Sequence, residues 1–193
     1  MDELVVRTTV YADSETVYEF LVDFPRYARY SEHLDRVRRI DGEGGPGTRY
    51  ALTFSWWRLT YTVRSEVTDV SPPNRIDWAI RKDIDANGHW RISPIDGETD
   101  TDDRDRTLET GSEDGGENDD DACQVEFRVR FDPGSASSDA IDLPRFVSFE
   151  WVLRRVIPLV REEAKGIVKR AVADLEGRER PVNLEVIVDS KRL

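Results

Sequence analysis

The sequence predicts an α+β fold, in which a curved antiparallel sheet of about six or seven strands packs against one long carboxyl-terminal helix. Two observations support this. Apolar and polar residues alternate through a series of short segments, as in strands that have one apolar face. The carboxyl-terminal part then changes to a helical period. Because a sheet with one apolar face needs a cover, the long helix and the sheet fit a single architecture.

The amino-terminal segment predicts a strand followed by two short helices. Leu4–Tyr11 is rich in β-branched residues, which favour strands. Asp13 and Ser14 are good helix caps, and Pro25 ends the helix that they start. A second short helical turn is expected over residues 26–31, before a strand over 35–40. The apolar residues of the first helix recur at helical spacing: Val17, Phe20, Leu21 and Phe24.

The middle of the chain predicts the remaining strands of the sheet. Turn signals separate the strands at residues 71–74 and at Asn87-Gly88. The alternating apolar residues are Tyr50, Leu52, Phe54 and Trp56, then Leu59, Tyr61, Val63 and Val67, then Ile76, Trp78 and Ile80, then Trp90 and Ile92, and finally Val125, Phe127, Val129 and Phe131.

The carboxyl-terminal part keeps a helical period of apolar residues from Phe149 to Leu175. Pro158 is expected to kink this helix or to split it in two, and Gly177 to end it. The apolar stretch over residues 182–188 predicts either a final strand or a loose end. We expect one domain over residues 1–177 and a tail over 178–193.

The net charge of −12 is concentrated in one segment. Residues 96–122 contain nine Asp and four Glu against two Arg, a net charge of −11, so the rest of the chain has a net charge of −1. With two apolar residues, this segment predicts a disordered loop inserted between two strands. The run over Asp119–Asp121 lacks the spacing of an EF-hand calcium loop, so we interpret it as a solvated acidic stretch.

Composition excludes several classes of protein. No apolar run is long enough to cross a bilayer, and the start has no signal-peptide pattern. Cys123 is the only cysteine, which predicts a reducing cytoplasmic location. The net acidity argues against nucleic-acid binding. Basic residues comprise 24 Arg and four Lys. With the acidic excess, this suggests a halophilic source, although a G+C-rich genome also favours arginine.

Several local motifs resemble those of the START-like, or SRPBCC, superfamily, which includes lipid-transfer domains, polyketide cyclases and the birch-pollen allergen. Val17–Tyr27 is similar to the first helix of that superfamily and the break after it, and Gly42–Thr48 to its glycine-rich loop. Gly47–Tyr50 is similar to the step from that loop into a strand. The resemblance covers roughly residues 3–176. It implies a helix-grip fold, with a cavity for a hydrophobic molecule between the sheet and the long helix.

The aromatic residues of the apolar face are the candidate cavity lining, although the same residues can instead pack as a solid core. Tyr50 and Tyr61 are the inward groups best able to orient a carbonyl or a phenol. Gly44, Gly45 and Gly47 are expected in a tight loop at the cavity rim. The candidate lining residues are Tyr50, Phe54, Trp56, Tyr61, Trp78, Trp90, Phe127, Phe149, Trp151 and Leu153.

No motif in the sequence indicates a catalytic, metal or cofactor site. The Gly42-x-Gly44-x-x-Gly47 pattern matches a dinucleotide fingerprint, but a strand is expected to follow it, not the required helix. His33 and His89 lack companion ligands at suitable spacing and are interpreted as exposed polar residues. Cys123 is interpreted as a buried small apolar residue.

The leading hypothesis is therefore the binding or transport of a small hydrophobic ligand: a lipid, an isoprenoid such as a quinone, or a polyketide-like molecule. The alternative is an enzyme of cyclase, aromatase or dehydrase type, with Tyr61 or Arg49 assisting proton transfer. A third hypothesis is an interaction module that presents the sheet edge or the acidic segment to a partner. The pattern leaves the ligand and the oligomeric state open.

Overall fold

A computed structural model of the chain describes residues 1–56, 59–82, 84–95, 121–135 and 149–189; at residues 56, 59, 133 and 149–162 it describes the backbone only. Its strands form one antiparallel sheet in the order β2-β3-β4-β5-β6-β7-β1-β8. The strands are β1 (Asp2–Val10), β2 (Leu34–Asp41), β3 (Arg49–Trp56), β4 (Leu59–Ser71), β5 (Arg75–Ile80), β6 (Asp85–Ile95), β7 (Ala122–Asp132) and β8 (Leu184–Asp189).

The two short helices after β1 lie where the sequence predicts them. Helix α1 (Ser14–Val22) begins after Asp13, whose carboxylate accepts a hydrogen bond from the Thr16 amide at 2.8 Å. The second is a 3₁₀ helix (Phe24–Arg29) with Pro25 in its first turn. Proline suits this position because the first amide groups of a helix have no partner inside it.

The long helix α2 (Phe149–Glu176) is continuous through Pro158, so the expected split into two helices is wrong. It ends where predicted, because Gly177 adopts a φ of 68°, a left-handed conformation that favours glycine. Val172 of α2 is buried in the same core as residues of α1 and the 3₁₀ helix. These three helices therefore cover one face of the sheet, here called the inner face.

The cross-strand register places the predicted aromatic residues on the inner face. Tyr61 lies opposite Phe54, and Trp90 lies opposite Phe127. Trp78 lies opposite Val67, which is fully buried in the core. The alternation of the sequence thus predicts the orientation of these strands correctly, since neighbouring residues of a strand point to opposite faces.

The sheet has eight strands, whereas the sequence predicts about six or seven, because the tail forms β8. This strand pairs antiparallel with β1, from Glu3 opposite Asp189 to Thr8 opposite Leu184. Of the two alternatives for residues 182–188, the structure shows the strand. The division into a domain over residues 1–177 and a tail over 178–193 stays a prediction.

Asn87-Gly88 does not form a turn, in contrast to the sequence prediction, but lies inside β6. Both residues pair with the strand on either side of β6. Gly88, for example, lies opposite Trp78 of β5 and Val129 of β7. The other predicted turn is confirmed: β4 ends at Ser71, and the Asn74 amide donates to the Ser71 carbonyl at 2.8 Å.

The acidic segment is inserted where β6 and β7 would otherwise meet in a hairpin. Ile95, the last residue of β6, lies directly opposite Ala122, the first of β7. Residues 96–120 lie outside the described residues. The prediction that they are disordered concerns those residues and stays a prediction. Within the described part of the chain, no helix is long and apolar enough to span a membrane.

Candidate functional site

The inner face of the sheet divides into two neighbouring bands that differ in burial. One band is closed: its side chains are fully buried and pack against the helices. It crosses the sheet diagonally, as expected for a twisted sheet covered by helices. Its members are Val10, Val37, Tyr50, Val67, Ile76, Ile92, Cys123 and Val125.

Beside the closed band runs a second band of large side chains that remain partly accessible, here called the aromatic band. Its members are Phe54, Tyr61, Trp78, Trp90 and Phe127, of which all but Phe54 are half-buried. Phe54 is exposed, at 37%. Partly accessible aromatic surface on the helix-covered face contrasts with the full burial of its neighbours, and such surface is what an apolar ligand would contact.

The aromatic rings of this band contact one another. Trp78 stacks on Phe127 with ring centroids 5.9 Å apart and an interplanar angle of 14°. Phe127 also packs on Trp90, at 4.5 Å between centroids. Offset and tilted contacts of this kind contribute about 0.5–1.5 kcal/mol each beyond burial, so they hold the rings in a defined wall.

Two aromatic residues of the 3₁₀ helix extend this wall, and the sequence analysis predicts neither of them as a lining residue. Tyr27 packs edge-on against Trp90, at 6.1 Å, and Phe24 packs on Tyr50, at 4.9 Å. The Tyr27 hydroxyl donates to the Leu21 carbonyl oxygen. The signal was available, since both residues belong to the motif over Val17–Tyr27, but only the fold brings them onto the sheet.

Small residues lie within the same part of the inner face. Ser65 lies opposite both Tyr50 and Ile80, and Ile80 lies opposite Ala86. Ser65 and Ala86 are buried. These small side chains separate large aromatic ones, and the Ser65 hydroxyl is a polar group among them.

Burial favours the neutral forms of three ionisable groups on this face or packed on it: Tyr50, Tyr27 and Cys123. Burial raises the pKa of Tyr50, and raises that of Tyr27 well above its usual range. Burial, with a smaller contribution from Asp13, raises the pKa of the Cys123 thiol to about 11. The prediction of Cys123 as a buried small residue is confirmed, since its exposure is 0%. A neutral surface suits an uncharged ligand.

Four predicted lining residues have no described side chain: Trp56, Phe149, Trp151 and Leu153. Their place in the cavity stays a prediction.

The glycine-rich loop joins β2 to β3, and the Gly47 amide donates to the Val67 carbonyl at 2.8 Å. Because strand β3 follows this loop, it cannot form the helix start that a dinucleotide site needs. The position of Gly44, Gly45 and Gly47 at a cavity rim also stays a prediction.

Two other sequence interpretations are wrong. Arg49, an alternative proton-transfer residue, lies on the outer face, where its guanidinium pairs with Asp41 at 2.7 Å. It precedes Tyr50 on the strand, so the two side chains point to opposite faces. His89, expected to be exposed, is 15% exposed and lies in an ionic cluster 3.4 Å from Glu126. Among the described residues, no group of three His, Cys, Asp or Glu could hold a metal ion.

The described residues also form two concavities away from the aromatic band. One, of about 710 Å³, lies between Val168 of α2 and the segment over residues 179–184. The other, of about 350 Å³, lies on the outer face of β2, β3 and β4. Neither includes a predicted cavity residue.

Residues 1–176 match the family described as "Polyketide cyclase / dehydrase and lipid transport". The chain belongs to this family. The predicted membership of the START-like superfamily and the helix-grip fold are thereby confirmed. No curated protein matches the chain.

Several solved structures share the fold at low sequence identity. The Zhui aromatase/cyclase from Streptomyces sp. R1128 is 15% identical, with a TM-score of 0.58 over 91% of this chain and 94% of that one. A START superfamily protein from Mycobacterium smegmatis is 13% identical, with a TM-score of 0.57 over 90% and 99%. The protein TTHA0849 from Thermus thermophilus is 15% identical, with a TM-score of 0.55 over 91% and 97%.

Proposed function

We propose that this family member binds a small hydrophobic ligand, such as a lipid, an isoprenoid or a polyketide-like molecule, between the aromatic band and α2. The single observation that supports this is the contrast on the inner face. Trp78, Trp90 and Phe127 stay half-buried there while adjacent aliphatic residues are fully buried. Burying the remaining apolar surface against a ligand would contribute about 25 cal/mol per Å².

The neutral character of this surface supports an uncharged or weakly polar ligand. Tyr50 and Tyr27 are neutral at physiological pH, and burial raises the pKa of both still further above that range. The hydroxyls of these two residues offer no opposite charge to a ligand, and an unpaired buried charge is costly in an apolar environment. A single hydroxyl or carbonyl on the ligand has a partner of the right kind in Ser65 or Tyr61.

The proposal is tested by filling the space next to the aromatic band. Ala86→Leu enlarges a buried residue of the inner face, and Ala79→Leu makes the same change at a buried residue of the outer face. With the uncharged probes N-phenyl-1-naphthylamine and a naphthoquinone, we expect at least tenfold weaker binding for Ala86→Leu and unchanged binding for Ala79→Leu. Equal probe affinity for two folded variants would contradict the proposal.

A second measurement identifies the natural ligand. Protein expressed in its own host is purified without detergent and examined by native mass spectrometry, and the bound material is extracted into organic solvent. We expect a bound apolar molecule in the wild type, and less of it in Ala86→Leu. A cytoplasmic location, suggested by the single cysteine, belongs to this proposal and is checked by cell fractionation.

A cyclase or dehydrase activity is the second candidate, because the description of the family includes both. Tyr61 is the described residue best placed for it, since it lies half-buried in the aromatic band opposite Phe54. With a synthetic polyketide thioester as substrate, Tyr61→Phe should abolish turnover while probe binding stays unchanged. If the wild type and Tyr61→Phe turned over the substrate at the same rate, Tyr61 would have no catalytic role.

A further inference from the structure

The outer face of the sheet carries two groups of arginine residues with different surroundings. On β1, β5 and β7 the arginines have carboxylate partners. Arg7 lies 2.7 Å from Glu126, and Arg75 lies 2.7 Å from Asp77. Arg130 lies 2.7 Å from Glu3. These pairs make that part of the outer face a charge-compensated surface.

The outer-face arginines of β2 and β4 have no such partner among the described residues. Arg36, Arg38 and Arg64 are exposed on the outer face, and no carboxylate among the described residues lies within ion-pair distance of any of them. Because these guanidinium groups are exposed and have no described carboxylate partner, they are available to an anionic ligand.

Two of these arginines flank a gap. Arg38 and Arg64 both lie opposite Ala51, one from each side. Their Cα atoms are thus separated by two strand spacings, about 10 Å, and a single methyl group lies between them. The result is a concavity of about 350 Å³, here called the arginine cleft, lined by Arg38, Ile40, Arg49, Ala51, Thr62 and Arg64.

The groups around the arginine cleft specify the chemistry of a ligand. Arg49 is held by Asp41 at 2.7 Å, and Glu66 lies opposite Arg49 across β3 and β4. Two guanidinium groups, of Arg38 and Arg64, therefore remain for a ligand. Guanidinium groups bind phosphate with paired, charge-assisted hydrogen bonds. The Thr62 hydroxyl can add a hydrogen bond, and Ile40, which is 42% exposed, offers an apolar contact.

We propose that the arginine cleft binds a phosphate-bearing small molecule, at a site on the opposite face of the sheet from the aromatic band. The volume lies within the range of about 300–1,000 Å³ for small-molecule sites. The phosphate would bridge Arg38 and Arg64 over Ala51, and the organic part would contact Ile40. This site is independent of the proposed function, because it shares no residue with the aromatic band.

The test uses the full chain and two sources of the same glycerol phosphate chemistry. Glycerol 3-phosphate is titrated into the protein by calorimetry at low salt, and vesicles of phosphatidylglycerol are tested by co-sedimentation. The variant Arg38→Gln/Arg64→Gln removes the proposed contacts. The control Arg81→Gln/Arg130→Gln removes the same charge from exposed positions outside the cleft.

We expect saturable binding of glycerol 3-phosphate by the wild type and the control, and at least tenfold weaker binding by Arg38→Gln/Arg64→Gln. Equal affinity for all three proteins would overturn the proposal, as would binding to vesicles alone. A deletion of residues 98–118 is measured in parallel. If only the deletion variant binds, the acidic segment competes for the cleft, and the proposal is wrong for the full chain.

Discussion

Gly88 lies directly opposite Trp78 across β5 and β6, and the indole ring occupies the space that a side chain at position 88 would need. A Cβ atom at Gly88 would lie 2.5 Å from Cζ2 of Trp78 and 2.2 Å from the Arg128 carbonyl oxygen. Glycine is therefore required here for close approach and not for a turn. The same pair places Trp78 against the sheet, where it stacks on Phe127.

We expect Gly88→Ala to destabilise the protein by about 1–3 kcal/mol, because the added methyl group must displace Trp78 or the backbone of β7. The near-ultraviolet circular dichroism of the tryptophans should change as well. Gly45→Ala is the control, since a Cβ there meets no atom within 4 Å. Urea denaturation gives the free energy of unfolding for each. Equal stability for the two variants would show that Trp78 does not cover Gly88.

Glu126 is the carboxylate at the centre of the paired surface, and we expect its ionisation to stabilise the fold. Burial opposes its ionisation, but hydrogen bonds from Arg7 and Arg128 lower its pKa from the ordinary 4.5 to about 2. The stabilisation is therefore complete above pH 4.5 and is lost as the pH falls through 2.

Glu126→Gln should accordingly lower the free energy of unfolding by about 2–3 kcal/mol at pH 7, and by progressively less as the pH falls from 4.5 towards 2. Glu185→Gln is the control, because Glu185 also contacts Arg7, at 3.2 Å, but is 57% exposed. That change should cost less than about 1 kcal/mol. If the loss of unfolding free energy in Glu126→Gln did not depend on pH, the effect would come from packing and not from the charge of Glu126.

Cys123 should resist thiol reagents in the folded protein. Its side chain is inaccessible, and its pKa of about 11 keeps it protonated, whereas the thiolate is the reactive form. With Ellman's reagent at pH 8, we expect modification only at the rate at which the structure opens, and immediate modification in urea. Ser93→Cys, at an exposed position of β6, should add one thiol that reacts at once. Fast labelling of the wild type would contradict the packing of β7.

The tail strand should depend on Arg180. Its guanidinium donates to the Glu176 carboxylate at 2.7 Å and to the Thr9 carbonyl at 2.8 Å, and it lies 4.5 Å from the Tyr11 ring. Arg180→Ala should therefore free the segment before β8 from α2 and β1, at a cost of about 1–3 kcal/mol. Hydrogen exchange should accelerate at residues 184–189. Arg81→Ala, at an exposed position just after β5, should leave exchange there unchanged.

The sequence by itself determined the order of the elements and the face on which the aromatic residues lie. Tyr50, Tyr61, Trp78 and Phe127 could be assigned to one face because a strand alternates its side chains with a period of two, a local property. The start of α1 after Asp13 and the end of α2 at Gly177 were predictable for the same reason. Each depends on the conformational preference of a few adjacent residues.

Only the tertiary structure decided how deeply those side chains are buried and what surrounds them. Val67 and Trp78 face each other, yet Val67 is fully buried and Trp78 is half-buried, because burial depends on which distant elements lie on top of each residue. The role of Gly88 depends likewise on two neighbouring strands, and the arginine cleft on residues from β2, β3 and β4. The alternation orients each strand, but strand pairing and helix packing, which join residues far apart in the chain, create the surfaces on which ligands can bind.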